Sequence, residues 1–326
     1  MKINRKFCVA PMLDWTDRHC RYFLRLISQH SVLYSEMITT GAILYGDTER
    51  HLAMSAQEQP VALQLGGSDP KDLAAACKIA DNYAYSEINL NCGCPSDRVQ
   101  NGMFGAVMMK NAKITADCVA AMIDATTLPV TVKHRIGVDD FDSYDFLCQF
   151  VGTVAESGCS TFLVHARKAW LQGLSPKQNR EVPELNYDRV YQLKKDFPDL
   201  EFIINGGIST LDESVTHLNN IDGVMLGREA YTNPYILSQV DRIIYGDEKP
   251  IKTREKIAEE FVEYVDNEMV KGVKLNAMTR HILGLYHGMP GARQFRRHIS
   301  ENAYKSTATI DVLINALKFT SGASTR

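Results

Sequence analysis

The sequence predicts an α/β protein, a (β/α)8 TIM barrel followed by a small C-terminal helical domain. Eight short β-rich segments recur over roughly 240 residues, and a helical pattern follows each of them. Most of these segments are rich in Val, Ile, Leu and Phe and close on a polar residue or a glycine. Beyond about residue 253 the strand pattern stops, and apolar residues recur only at helical spacing.

Taken in order, the predicted strands occupy residues 7–12, 32–36, 61–65, 87–91, 130–134, 161–165, 202–206 and 223–227. Both their number and the length of chain they span match a barrel in which strand and helix alternate eight times. A doubly wound parallel sheet is the structural alternative, because it is built from the same strand–helix units.

Polar or glycine residues lie at or next to the ends of six of the predicted strands. They are Gln64, Asn91, Lys133, His165, Asn205 and Gly227. In a TIM barrel the active site lies at the C-terminal ends of the strands, so these residues are expected to converge at one mouth.

The chain is predicted to change character near residues 246–250, a Gly-, Pro- and charge-rich linker. We therefore assign residues 1–245 to a catalytic barrel domain. Residues 253–320, with apolar residues at helical spacing, are assigned to a helical domain.

Composition indicates an ordinary globular protein of 326 residues with 45% hydrophobic residues, 23% charged residues and a formal net charge of −3. The eight cysteines follow no framework spacing, no signal peptide is visible, and no apolar run reaches the roughly 18 residues of a membrane span. We expect a cytoplasmic protein with reduced thiols and no membrane association.

The segment 89–95, with the sequence Asn-Leu-Asn-Cys-Gly-Cys-Pro, is predicted to place Cys94 on a constrained loop at a strand end. Gly93 is expected to let the backbone turn, and Pro95 prevents further strand pairing. Cys92 lies two residues away, so a metal site or a redox disulfide is an alternative. Neither is favoured and no metal is predicted, because the other cysteines and histidines do not supply further ligands at suitable spacing.

Two glycine motifs follow the last two predicted strands. Asn205, Gly206 and Gly207 follow the seventh, and Gly227 and Arg228 follow the eighth. TIM barrels often bind phosphate at this position, so the pair predicts a phosphorylated ligand.

Lys133 closes the fifth strand, inside the predicted mouth. Its amine is compatible with a Schiff base, as in aldolases, or with binding the pyrimidine end of a flavin. Gln64 and His165 favour the flavin, because an amide and an imidazole can bind its polar edges.

Taken together, seven motifs resemble those of the tRNA-dihydrouridine synthases over nearly the whole chain. They are Ala10-Pro11-Met12 with Thr16-Asp17, Gln64-Leu65-Gly66, the segment 89–95, Lys133-His134-Arg135, His165-Ala166-Arg167, Asn205-Gly206-Gly207 and Gly227-Arg228. The segment 174–180, Leu-Ser-Pro-Lys-Gln-Asn-Arg, narrows the resemblance to branch A of that family.

The resemblance implies an FMN-dependent enzyme that uses NADPH to form 5,6-dihydrouridine in the D-loop of tRNA, at positions 20 and 20a. It implies hydride transfer from the flavin to C6 and proton transfer from Cys94 to C5. A thiol keeps its proton at neutral pH and can serve as a general acid. The implied cofactor-binding residues are Pro11, Met12, Leu13, Gln64, Lys133, His165, Asn205, Gly206, Gly207, Gly227 and Arg228.

The same resemblance implies tRNA contacts. The residues concerned are Asn91, which would bind the target uracil, and Lys177, Arg180, Arg293 and Arg296. It implies no obligate protein partner. The charge pattern agrees, because residues 271–305 hold seven Lys and Arg residues against one acid, Glu301. A solvated basic face is the alternative explanation.

Three other functions are compatible with parts of the sequence. They are a flavin barrel acting on a free pyrimidine base, an aldolase using Lys133, and an RNA-binding protein without chemistry. The basic segment argues against the first. The flavin-type residues argue against the second, and the intact Cys94 against the third.

Overall fold

A computed structural model describes residues 3–96, 99–100 and 102–320 of the chain. Within them eight parallel strands pair in chain order, and the eighth pairs with the first to close a barrel. The strands are β1 (Phe7–Val9), β2 (Val32–Thr39), β3 (Val61–Gly66), β4 (Glu87–Cys92), β5 (Val130–Arg135), β6 (Thr161–His165), β7 (Glu201–Asn205) and β8 (Gly223–Leu226). The predicted TIM barrel is therefore confirmed, and the doubly wound alternative is wrong.

Besides five short 3-10 helices, fourteen α-helices are present in the described residues. They are α1 (Arg18–Ile27), α2 (Thr40–Tyr45), α3 (Thr48–Leu52), α4 (Pro70–Ala80), α5 (Ala112–Ala125), α6 (Tyr144–Glu156), α7 (Tyr187–Asp196), α8 (Leu211–Leu218), α9 (Arg228–Thr232), α10 (Val240–Tyr245), α11 (Arg254–Val270), α12 (Leu275–Thr279), α13 (Ala292–Asn302) and α14 (Asp311–Leu317). The helices predicted beyond residue 253 are thus present as α11 to α14.

The chain divides into two compact units. One consists of Met1–Leu13 and Val32–Gly227, and it contains the whole barrel. The other consists of Asp14–Ser31 and Arg228–Arg326, so helix α1 belongs with the C-terminal helices. The division into domains 1–245 and 253–320 stays a prediction.

Helix starts in the barrel unit follow from capping residues. Asp69 accepts hydrogen bonds from the first-turn N–H groups of α4, and Pro70 opens that helix with a fixed φ. At α8 the side chains of Thr210 and Glu213 form a reciprocal capping box. This cap fixes the start of the helix that follows β7 and its glycines.

The barrel interior contains an apolar cluster and, beside it, an ionic cluster. Arg5 Nε lies 2.6 Å from Glu87 Oε2, and Arg5 Nη1 lies 2.8 Å from Glu201 Oε2. Glu87 is fully buried at the first position of β4. A carboxylate there requires this compensation, because an unpaired buried charge is strongly destabilising.

No helix in the described part of the chain combines the length and the apolar character needed to cross a membrane.

Candidate active site

Cys94 lies in the loop after β4, where its backbone is held on both sides. The Cys94 N–H donates to Asn91 Oδ1 at 2.9 Å, and the Cys94 carbonyl accepts from Ala106 N at 2.9 Å. Its thiol is half-buried, with Sγ 3.5 Å from Ser96 Oγ. The loop thus presents the sulfur on a restrained backbone.

Glycine at position 93 is not required by the turn, contrary to the sequence-based expectation. The φ of Gly93 is not in the left-handed region, and a Cβ there would meet no atom closer than 3.5 Å. The glycine that the backbone requires here is Gly105, whose φ is +76°. A Cβ on Gly105 would lie 2.6 Å from the Cys94 carbonyl oxygen. Gly105 therefore allows the close approach that brings Ala106 N to Cys94.

Cys92 differs from Cys94 in its surroundings. Its side chain is fully buried within β4, and burial raises the pKa of its thiol well above the ordinary value. A buried, protonated thiol of this kind is chemically inert. Among residues 3–96, 99–100 and 102–320, no group of three His, Cys, Asp or Glu side chains is arranged to hold a metal ion.

Arg135 is a residue whose role the sequence analysis did not identify. It closes β5, is 4% exposed, and donates through Nε to the Gly93 carbonyl at 2.9 Å. Its Nη1 donates to the carbonyls of Lys168 at 3.0 Å and Asn179 at 2.9 Å. One guanidinium therefore ties the Cys94 loop to two segments that follow β6. Its place beside Lys133 in a strand-end motif was the only sequence signal.

Several cationic side chains lie close together at the C-terminal ends of the strands. Burial lowers the pKa of Arg135 to about 10, and Arg180 and Arg167 add to that effect. Burial also lowers the pKa of Lys133 to about 7, with Arg135 contributing. The Lys133 Nζ donates to the amide oxygen of Asn205 at 3.2 Å rather than to a carboxylate. This mouth is suited to an electron-rich or anionic ligand.

The end of β6 offers an unfilled hydrogen-bonding nitrogen. Nδ1 of His165 is buried and has no hydrogen-bond partner among the described residues. Burial and the nearby Arg135 and Lys133 hold the pKa of His165 well below its ordinary value, so the ring is neutral at pH 7. A buried polar atom without a hydrogen-bond partner is uncommon unless a ligand or a water molecule supplies one.

Both glycines after β7 are required by the backbone. Gly206 has φ +121° and Gly207 has φ +73°, values that side-chain-bearing residues rarely adopt. A Cβ on Gly207 would lie 2.6 Å from Leu185 Cδ1. Tyr187 OH donates to the Gly206 carbonyl at 2.7 Å and fixes this turn.

Gly227 follows β8, and steric crowding does not require a glycine at this position. A Cβ on Gly227 would lie 3.8 Å from Ala10 Cβ and 4.0 Å from Met12 Sδ, which are ordinary contacts. The residues that follow β1, Pro11 and Met12, are half-buried, and Leu13 is 62% exposed. A side chain at position 227 would therefore fit, and the residues after β1 are partly accessible to solvent. Arg228 is exposed and begins α9 in the other unit.

Two predicted polar residues are joined directly. Asn91 Nδ2 donates to Gln64 Oε1 at 2.8 Å, and both side chains are buried. This pairing links the ends of β3 and β4 beside the Cys94 loop.

The residues predicted to contact RNA lie in both units. Lys177 and Arg180 are exposed on the segment after β6, where the buried Asn179 donates to the Trp170 carbonyl at 2.9 Å. Lys168 Nζ lies 4.2 Å from the centre of the Trp170 ring. In the other unit Arg293 is exposed and Arg296 half-buried on α13. The other five of the seven basic residues of segment 271–305 precede or follow them in sequence.

A closed parallel barrel with these groups at the C-terminal ends of its strands has the architecture of a TIM-barrel enzyme. The sequence pattern that defines the family "Dihydrouridine synthase (Dus)" matches residues 8–321. The chain belongs to the dihydrouridine synthase family and is an enzyme of it, which confirms the resemblance noted in the sequence.

Bacterial relatives match over nearly the full chain, and each is called a tRNA-dihydrouridine(20/20a) synthase. The Yersinia pestis protein is 58% identical over 318 residues, 97% of this chain and 92% of the relative. The Escherichia coli K12 protein is 59% identical over 314 residues, 96% of this chain and 91% of the relative. The Vibrio cholerae protein is 58% identical over 313 residues, 96% of this chain and 95% of the relative.

A distant similarity supports the fold alone. A solved structure of 2-naphthoyl-CoA reductase with 2-naphthoyl-CoA superposes with a TM-score of 0.58 at 9% identity. The match covers 74% of this chain and about half, 51%, of that chain.

Proposed function

We propose that this protein reduces uridine to 5,6-dihydrouridine at positions 20 and 20a in the D-loop of tRNA, with FMN as cofactor and NADPH as reductant. The observation that carries the proposal is the half-buried Cys94 thiol on a restrained loop beside a mouth of cationic and amide side chains. The names of the relatives, at 58–59% identity, supply the substrate and the positions.

The residues present fit a flavin mononucleotide. The unfilled Nδ1 of His165 and the amine of Lys133 supply polar groups for its edges. Gly206, Gly207 and Gly227 would hold its phosphate, and a Cβ on Gly227 would meet no atom closer than 3.8 Å. Arg228 would add a positive charge to that site, while Pro11, Met12 and Leu13 would lie against the ring. The family assignment favours this interpretation of Lys133 over an aldolase Schiff base.

The chemistry divides between the cofactor and the protein. Reduced FMN, when bound, would supply the hydride that C6 of the uracil accepts. Cys94 would give the proton on its Sγ to C5 of the same ring, and the thiolate would then regain a proton from solvent. Asn91 uses one of its two N–H groups on Gln64, and the amide would place the other toward the uracil.

Basic residues of both units would hold the RNA. Lys177 and Arg180 lie on the segment after β6, and Arg180 is close enough to Arg135 to lower the pKa of that residue. Arg293 and Arg296 of α13 would contact the phosphate backbone. The target uridine must leave its stack to reach a barrel mouth, as in other enzymes that modify bases.

A comparison of Cys94→Ala with Cys148→Ala tests the chemical role of the thiol. Both residues are half-buried, but Cys148 lies on α6. We expect Cys94→Ala to keep its flavin and to be reduced by NADPH at the wild-type rate. Reoxidation by tRNA should slow about 100-fold or more, the usual contribution of a general acid. Cys148→Ala should behave as wild type. Reoxidation of Cys94→Ala at the wild-type rate would remove Cys94 from the mechanism.

Mapping dihydrouridine in cellular tRNA tests the substrate. Deletion of the gene should remove dihydrouridine at positions 20 and 20a, and the wild-type gene should restore it while the Cys94→Ala gene should not. Loss at other positions with retention at 20 and 20a would contradict the proposed specificity.

A further inference from the structure

A chain of side-chain hydrogen bonds runs through the barrel interior and ends at the Cys94 loop. Three of its members, Glu87, Asn89 and Asn91, alternate along β4 and therefore point to the same side of the sheet. Thr131 of β5 and Gln64 of β3 complete it. Asn91 is 8% exposed and the other four are 0–1% exposed.

The chain consists of consecutive short contacts. Thr131 Oγ1 donates to Glu87 Oε1 at 2.6 Å, Asn89 Nδ2 to Thr131 Oγ1 at 2.8 Å, Gln64 Nε2 to Asn89 Oδ1 at 2.8 Å, and Asn91 Nδ2 to Gln64 Oε1 at 2.8 Å. At its end Asn91 Oδ1 accepts from Gly93 N at 3.1 Å and from Cys94 N at 2.9 Å.

Every donor in the chain points toward Glu87, and both ends fix that direction. The Glu87 carboxylate can only accept, because Arg5 Nε is paired with its other oxygen at 2.6 Å. Tyr34 OH also donates to the carboxylate, at 2.7 Å. At the opposite end the backbone N–H groups of Gly93 and Cys94 can only donate. Reversing any single amide would therefore place two donors or two acceptors against each other at two junctions.

We propose that Thr131 and Asn89 are positioning residues, which set the orientation of the Asn91 amide and so hold the backbone that carries Cys94. This inference rests on the proposed function, in which Cys94 is the proton donor. Thr131 and Asn89 act at a distance, since their side chains bond to Glu87, to each other and to Gln64.

The chain also explains why buried polar residues are tolerated at these positions. A buried hydroxyl or amide is destabilising unless it is hydrogen-bonded, and in this chain each group satisfies the next. Loss of the Thr131 hydroxyl removes the acceptor of Asn89 Nδ2. The amides of Asn89, Gln64 and Asn91 are then free to reorient. The Asn91 oxygen would then face the Cys94 N–H for a smaller fraction of the time.

Substitution of Thr131 tests this inference in the flavin-loaded, full-length enzyme. Thr131→Val removes the hydroxyl with little change of shape, whereas Thr131→Ser retains it. The matched control is Thr161→Val. Thr161 is also buried, and its hydroxyl donates to Glu201 Oε2 at 2.9 Å, outside the path from Glu87 to Asn91. Asn89→Leu breaks the same path at a second point and serves if Thr131→Val does not fold.

Two readouts are expected to change together. Backbone hydrogen–deuterium exchange of Gly93 and Cys94 should accelerate about tenfold in Thr131→Val and Asn89→Leu, the effect of weakening one buried hydrogen bond. Reoxidation of the reduced enzyme by tRNA should slow by about tenfold, with a larger solvent deuterium isotope effect because proton transfer becomes limiting. Thr131→Ser should restore both values, and Thr161→Val should leave both at wild type.

The two readouts separate this inference from the proposed function. If tRNA does not reoxidise the reduced wild-type enzyme, the proposed function fails, while the exchange rates still report on the chain. If Thr131→Val and Asn89→Leu fold with wild-type exchange at Gly93 and Cys94, the positioning inference is overturned. Equal effects of Thr131→Val and Thr161→Val would overturn it as well.

Discussion

At the scale of single residues, Lys133 shows a conflict between stability and the function proposed for it. Burial lowers the pKa of its amine to about 7, mainly because the barrel mouth replaces water around the charge. The unfolded chain would hold that proton up to the ordinary lysine pKa of about 10.4. The charged amine therefore destabilises the ligand-free protein below about pH 7, and the effect fades as the pH rises toward 10.

Replacement of Lys133 should expose this conflict. We expect Lys133→Met to raise the melting temperature of the flavin-free protein at pH 7, on the order of 5 °C, and to bind FMN more weakly. The gain should become small near pH 10, because wild-type Lys133 is then neutral in the folded state and has begun to lose its proton in the unfolded chain. Melting curves at pH 7 and pH 10 and a flavin titration measure both effects. A gain that stays constant with pH would show that charge burial is not its cause.

Gly105 is a second residue whose identity is dictated by its neighbours. Its φ is +76°, and a Cβ would lie 2.4 Å from Val99 Cγ1 and 2.6 Å from the Cys94 carbonyl oxygen. We expect Gly105→Ala to destabilise the protein by about 1–3 kcal/mol in urea unfolding. It should also slow flavin reoxidation by tRNA, because the Cys94 loop must move away from Ala106.

The control for Gly105→Ala is Gly41→Ala in α2. A Cβ on Gly41 would meet no atom within 4 Å, and alanine is the better helix former there. Gly41→Ala should be neutral or slightly stabilising. If both substitutions behave alike, the close approach at Gly105 does not position the Cys94 loop.

At the scale of elements, the strands were predictable because their signals are local. All eight were placed within a few residues, and β6 matches its predicted bounds of 161–165. β1 was predicted to extend to residue 12 but ends at Val9, although the N–H of Ala10 still donates to the Leu226 carbonyl at 2.8 Å. Pro11 has no N–H to continue the pairing.

The site residues that could be predicted are those with a reactive or titratable side chain at the end of a strand. Cys94, Lys133 and His165 stand at strand ends, and that position alone indicates the mouth of a barrel. The contacts of Arg135 were not predictable, since they reach carbonyls 33 to 44 residues away in sequence. The need for Gly105 likewise depends on a close approach that only the folded chain creates.

Helix α13 carries the element-scale prediction about RNA. Arg293 is exposed and Arg296 half-buried on this helix. The double reversal Arg293→Glu and Arg296→Glu should weaken tRNA binding and make its logarithmic salt dependence less steep by roughly 1 to 2, since each lost phosphate contact removes about 0.7–0.9 from the slope. Flavin content should be unchanged.

A charge reversal on the barrel unit is the control for the α13 variant. Lys113→Glu reverses an exposed charge on α5 of the barrel unit, where Lys113 Nζ pairs with Asp117 at 2.6 Å. This variant should keep the wild-type affinity and salt dependence for tRNA. An unchanged salt slope in the α13 variant would make its arginines part of a solvated face.

At the scale of the whole molecule, the unit that contains the C-terminal helices is discontinuous in sequence. Helix α1 contributes Phe23, whose ring centre lies 5.0 Å from that of Phe261 in α11, and both side chains are fully buried. Tyr22 of α1 stacks on Tyr264 of α11 at 3.8 Å. Pattern analysis could not find this pairing, because it joins segments about 240 residues apart.

This discontinuity predicts that residues 1–245 do not form an independent domain. A fragment ending at residue 245 would expose Phe23 and the apolar face of α1, and burying the Phe23 and Phe261 side chains stabilises by roughly 3–6 kcal/mol. We expect the fragment to aggregate, or to bind a hydrophobic dye and unfold without cooperativity. Co-expression with fragment 246–326 should restore a soluble, flavin-binding complex, because the same cut then leaves α11 available to α1. A fragment 1–245 that unfolds cooperatively by itself would show that α1 does not need the C-terminal helices.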